Sequence, residues 1–204
     1  MMPRVKSASK MVELDIKRPF WDRCFMVAPL VLIGTRDEDG SLDLAPKHMA
    51  FPMGWQNYFG FVCSPRHHTH TNIERDKAFT VSYPKPSQVL YASLAASPRH
   101  AGGPKTVLQS FDTFAATKID GEFISDAYLF LECRHFKTID GFGKNCLITG
   151  EVVAAFADPD YVRSSELDEQ EMIHEHPLFA YLPPSRFATI ASSNAFPFPA
   201  DMKR

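Results

Sequence analysis

At 204 residues, with 45% apolar and 23% charged side chains, the chain has an ordinary globular composition and enough length for a substantial core. Its 22 basic and 24 acidic residues give a net charge of −2, without the basic excess of a nucleic-acid binder. The most apolar run, FMVAPLVLIG, is about half the roughly 20 residues of a membrane-spanning helix and is interrupted by Pro29, which argues against membrane insertion.

No basic-then-apolar leader opens the sequence, so secretion is not indicated. Cys24, Cys63, Cys133 and Cys146 are far apart and form no C-x-x-C pair. Neither a zinc knuckle nor a disulfide framework is suggested, and reduced thiols in a cytoplasmic protein fit best. The early basic residues Arg4, Lys6 and Lys10 read as a frayed terminus. With no repeat and no low-complexity linker, residues 1–204 read as a single domain with an N-terminal arm (about 1–20) and a C-terminal tail (about 177–204).

In chain order, VAPLVLIGTR reads as a buried strand ending at the turn DEDG, where Asp39-Gly40 signals a hairpin and SLDLAP returns as its partner. HMAFPMGWQ is an irregular strand or bulge. In YFGFVC, Phe59, Phe61 and Cys63 share one face of a strand, and Tyr58, Gly60 and Val62 share the other. Thr71, three residues before Glu74, has capping-box spacing and predicts the start of a helix of about two turns. FTVSY then alternates as a strand, and SQVLYASLAA, introduced by Pro86 and Ser87, predicts a second short helix.

AYLFLECRHF and NCLITGEVVAAF are longer strands, apolar on both sides for much of their length, which suits a closed or two-layer sheet. Pro159 to His176 is acidic and helical in part. The tail FATIASSNAFPFPADMKR is too short for its own core, so Phe196 and Phe198 need a surface to cover. The reading is mainly β: a barrel with a few short helices, without the strand–helix alternation or G-x-G-x-x-G of a dinucleotide-binding fold.

The segment CSPRHHTHTNIERDK concentrates the candidate chemistry, and three readings compete for it. His67, His68 and His70 suggest a metal-dependent hydrolase, but adjacent extended residues point opposite ways, and on a helix a catalytic zinc prefers histidines at i, i+4 with an added carboxylate. His174 and His176 form a second pair that nothing fixes near the first. Cys63 beside histidines suggests a nucleophile, yet its alternation with Phe59 and Phe61 favours core packing. In the third reading, Pro65 stops the strand, Arg66 supplies a fork of donors, Thr69 and Thr71 offer hydroxyls, and a helix N-terminus faces the same space. Such a set suits a phosphomonoester, with a plain capped loop as its rival. Lys47 and His48, after the Pro-broken strand SLDLAP, leave a backbone edge that can bond a flat heterocycle.

Taken together, APLVLIGTRDEDGSLDLAPKHMAF, FGFVCSPRHHTHTNI, AFTVSYP and GKNCLITGEVV resemble, over roughly residues 20–157, the flavin reductase-like, FMN-binding split-barrel family. The resemblance implies a six-stranded Greek-key split barrel, a homodimer, and FMN near the subunit interface. Carried onto this sequence, Ala45, Pro46, Lys47, His48 and Met49 would face the isoalloxazine, and Cys63, Ser64 and Pro65 would line it. Arg66, Thr69 and Asn72 would approach the ribityl phosphate. The implied chemistry is hydride transfer from NADH or NADPH through FMN to flavin or another small acceptor, with a monooxygenase as partner and no metal. Two departures stand out. Asn145 and Cys146 occupy the place where many family reductases carry a nicotinamide-side histidine, and Lys47-His48 replaces a small polar residue. His48 and Asn145 are the catalytic candidates that remain, and a non-catalytic flavin carrier or sensor is the alternative.

Overall fold

The computed structural model describes residues 11–99, 103–163 and 168–199. The early basic residues, the beginning of the N-terminal arm and the end of the tail lie outside the described residues, as do positions 164–167 of the acidic segment. The strands are β1 (Ala28–Pro29), β2 (Val31–Arg36), β3 (Leu42–Lys47), β4 (Ala50–Pro52), β5 (Tyr58–Cys63), β6 (Ala78–Tyr83), β7 (Thr113–Ala115), β8 (Glu122–Ile124), β9 (Leu129–Phe142), β10 (Asn145–Ala157), β11 (Leu178–Leu182) and β12 (Arg186–Ile190). Among the described residues three α-helices are interspersed: α1 (His68–Asp76), α2 (Val89–Leu94) and α3 (Glu169–Glu175).

The main sheet is antiparallel in the order β3-β2-β6-β9-β10-β5-β4 and curls into the split barrel. Three of its neighbouring pairs, β2–β6, β6–β9 and β10–β5, are not consecutive in sequence, which gives the Greek-key path. The β2–β3 hairpin turns where DEDG predicts, with Gly40 at φ 81°, a conformation that favours glycine.

Alternation along the strands separates two cores. Val31, Ile33, Phe59, Phe61, Phe79 and Val81 fill the barrel interior with Cys63, Cys133, Cys146 and Ile73 of α1. Leu32 and Leu44 point to the other face, where Ala92 of α2, Phe123, Phe130 and Phe179 cover them. Each fully buried aromatic or branched side chain contributes about 1.5–3 kcal/mol of hydrophobic stabilisation, so both layers matter to the fold.

Several expectations need correction. The helix after the histidines starts at His68, with His67 as N-cap and no side-chain cap. Thr71 is therefore inside α1, and Glu74 bonds to Lys77 and Thr138 instead of closing a capping box. β9 is buried mainly in its first half; its distal half carries the exposed Phe136 and Phe142. Part of the assumed tail is ordered sheet, since β11 and β12 pair with each other and β1 pairs with β11. Phe196 and Phe198 remain exposed.

Candidate functional site

β3, the end of β5, the N-terminus of α1 and the segment carrying Arg99 and Lys105 converge on one corner of the barrel. Asp43, a charged residue on the buried alternation of β3, is its centre. The Asp43 carboxylate, 2% exposed, lies 2.8 Å from Arg99 Nη2 and 3.0 Å from Lys105 Nζ. Thr69 Oγ1 donates to its other oxygen at 3.5 Å. Lys105 also donates to the carbonyls of Leu44 at 2.7 Å and Ala95 at 2.8 Å, which ties the loop to the sheet.

A second carboxylate completes the network. Asp37 accepts from Arg99 Nη1 at 2.6 Å and from Asn72 Nδ2 at 3.0 Å. Burial would raise the Asp37 carboxyl, but the Arg99 and Asn72 hydrogen bonds hold it below the usual range. Asn72 Nδ2 donates in addition to Thr35 Oγ1 at 3.1 Å. Two carboxylates and two cations therefore neutralise one another beneath the site, and Thr69 and Asn72 serve that floor.

The mouth above this floor has a different character. A cleft of about 390 Å³ is lined by Arg66, His68, Thr71 and Asn72 on one side and Asp37, Glu38 and Asp39 on the other. α1 has no acidic residue in its first turn, and the backbone N–H groups of His68 and Thr69 find no acceptor among the described residues. Arg66 has no acidic partner among the described residues, and its own N–H donates to Ser64 Oγ at 3.4 Å. Arg66 and the first turn of α1, with its positive helix end, are the donors a phosphomonoester would use in this cleft; Arg99 lines it as well and already pairs Asp37, one of the three carboxylates facing them.

Lys47 Nζ lies 3.5 Å from His67 Nδ1, which is 4.0 Å from Cys63 Sγ. Burial, with Lys47 and Lys105 nearby, pushes the His67 imidazole below its ordinary value. Burial also pushes the Cys63 thiol up, against the pull of Lys47. Cys63 is thus a packed thiol of the barrel interior, not an activated nucleophile. The histidines diverge: His67 turns to Lys47 and Cys63, while His68 Nδ1 lies 3.8 Å from Asp37. Among the described residues no group of three or more His, Cys, Asp or Glu is arranged to hold a metal ion, which leaves the hydrolase reading without a site.

The residues expected along a flavin ring divide between two faces of β3. Asp43, Ala45 and Lys47 alternate on the side of α1. Pro46 and His48 line a separate cavity against α2 and β11, where the His48 ring lies 5.1 Å from Tyr181. Burial, then Lys47, lowers the His48 imidazole below its ordinary value. Met49 is exposed, and Pro65 lies in the exposed turn before α1. Asn145 is exposed at the start of β10, next to Cys146, which pairs directly with Cys63. Sequence reasoning missed Asp37, Asp43, Arg99 and Lys105; an aspartate inside the apolar run LDLAP was the one available signal.

The family model described as "Flavin reductase like domain" matches residues 23–176. Among solved structures, the chain is similar to the 2-nitrobenzoate 2-nitroreductase of Pseudomonas fluorescens, at 19% identity, TM-score 0.77 and 98% coverage of each chain. It is similar to nitrilotriacetate monooxygenase component B from Bacillus cereus, at 14% identity and TM-score 0.77, covering 91% of this chain and 98% of that one. It is also similar to an FMN-binding protein from Thermus thermophilus, at 18% identity and TM-score 0.72, covering 92% of this chain and all of that one. At these identities the structural likenesses establish the split-barrel fold.

Proposed function

The chain belongs to the flavin reductase-like family, and from that premise we propose that it is an FMN-dependent oxidoreductase of the reductase class. The observation that carries the reading is the donor set at α1, where Arg66 and a helix start with two N–H groups unpaired among the described residues border the cleft over the Asp37–Arg99–Asp43 network. Bound there, FMN supplies hydride and single-electron chemistry that no side chain provides. The protein's part is positioning. Arg66 and the first N–H groups of α1 bind the phosphate, while Thr69 and Asn72, fixed on Asp43 and Asp37, hold the helix in place. Ala45, Pro46, Lys47, His48 and Met49, with Cys63, Ser64 and Pro65, form the backbone edge and wall for the ring. Lys47 supplies positive charge beside the ring site for a reduced, anionic flavin.

NADH or NADPH is the reductant in this reading, the protein is cytoplasmic, and a homodimer is its working form. The exposed Phe51, Trp55, Phe136 and Phe142 support self-association. The likeness to a monooxygenase component B supports a partner monooxygenase as consumer of the reduced flavin. A second reading, a flavin carrier without turnover, is supported by the exposed Asn145 and the buried Cys146, which by the family resemblance occupy the neighbourhood of the nicotinamide-side histidine. Titration with FMN and riboflavin, followed by NADH and NADPH consumption, tests both. FMN binding with nicotinamide oxidation supports the reductase, FMN binding without it supports the carrier, and absence of binding removes both.

A further inference from the structure

On the opposite face of β3 from the phosphate corner, α2 and the β11–β12 hairpin line an open cleft of about 410 Å³, whose hairpin side, with Arg186 and Phe187, is exposed. That volume suits a single-ring ligand. Phe179 and Phe187 form one aromatic wall, with ring centroids 5.5 Å apart in a T-shaped arrangement. Tyr181 and His48 form another at 5.1 Å, and the Tyr181 hydroxyl is anchored by donating to the Pro184 carbonyl. Ala92 keeps the α2 side open to a flat molecule.

The polar groups of the cavity are few and of one sign. Among the described residues Arg186 is the sole fully charged one in the lining, and none of those lining it is a carboxylate. Among the described residues the Arg186 guanidinium has no acidic partner. The cleft at α1 differs, since Asp37, Glu38 and Asp39 share its walls. His48 and Ser93 add hydrogen-bonding groups without acidic charge.

We propose that this cavity binds a planar aromatic carboxylate, with the ring between the aromatic walls and the carboxylate on Arg186. A guanidinium prefers a carboxylate because both are planar and pair through two parallel hydrogen bonds. Pro46 and His48 belong to both this cavity and the segment proposed to face the flavin. Assigning the occupant as the substrate of the flavin site therefore rests on the FMN reading, whereas its binding does not.

Calorimetric titration of the full chain with benzoate and with benzamide, in the presence and absence of FMN, tests the proposal. Benzoate is expected to bind in the millimolar range typical of so small a ligand, and at least about tenfold more tightly than benzamide. Arg186→Gln should remove that difference, and Ser93→Phe, on the exposed face of α2, should block both ligands while leaving the melting temperature and FMN binding in place. Equal binding of benzoate and benzamide, benzoate binding unchanged in Arg186→Gln, or no binding of benzoate would overturn it. Discrimination by a chain that fails to bind FMN would leave the cavity assignment standing and remove the flavin reading. FMN binding without discrimination would do the reverse.

Discussion

Asp43→Ala tests whether the buried ion network holds the site together. Asp43 pairs with Arg99 and Lys105 at 2.8 and 3.0 Å, and all three side chains are at most 11% exposed. Removing one partner of a buried pair costs about 3–5 kcal/mol, because the remaining charge is left uncompensated. Here Arg99 keeps Asp37 and Lys105 keeps two carbonyl acceptors, which places the loss at the lower end. A destabilisation of about 3 kcal/mol corresponds, in a chain of this length, to a fall of roughly 6–12 °C in melting temperature. Urea denaturation followed by circular dichroism measures it, and the double variant Asp43→Ala/Lys105→Met should recover part of the loss. A change below about 1 kcal/mol in the single variant, the level of an exposed pair, would refute the argument.

Other consequences can be checked independently. Arg66→Ala should weaken FMN by about 1.5–3 kcal/mol, some 10- to 150-fold, and leave riboflavin nearly unchanged; an equal loss for both ligands removes the phosphate assignment. Gly150→Ala should cost about 1–3 kcal/mol in urea denaturation by overpacking. Its Cβ would lie 2.7 and 2.8 Å from the Phe79 ring and 3.0 Å from Cys133 Cβ, so a neutral result would show that the sheet relaxes there. Lys77 and then Thr138 hold the Glu74 carboxyl down, from 4.5 to about 2. Its contribution to stability is full above about pH 4.5 and lost as pH falls through about 2. Solvent screening leaves that contribution at about 1 kcal/mol, and Glu74→Gln should flatten acid denaturation by that amount.

Much of the barrel was legible because its signals are local. Alternation in YFGFVC placed Phe59, Phe61 and Cys63 on one face, and Asp39-Gly40 located the first hairpin. Burial of both faces of β2 fits the buried-strand reading for its second half, whereas VAPLVLIGTR is not one strand: Val27 is exposed and Ala28–Pro29 pairs with β11 in a separate sheet. β11 and β12 form a local hairpin that the tail reading overlooked, and the strand that joins them to the fold, β1, is two residues long and pairs with β11 from about 150 positions earlier, beyond the reach of any periodicity. The α1 start was displaced because Thr71-x-x-Glu74 mimics a capping box, while the true N-cap, His67, uses no side chain. The donors around Arg66 could be read from composition. Their floor could not, because Arg99 and Lys105 reach Asp43 across about 60 residues by tertiary folding alone.

The central claim is that the corner at α1 holds FMN, and equilibrium dialysis of the purified chain against micromolar FMN measures this most directly. The account predicts one FMN retained per chain, with the flavin absorbance bands of a bound chromophore. No retained flavin at micromolar concentration would contradict it.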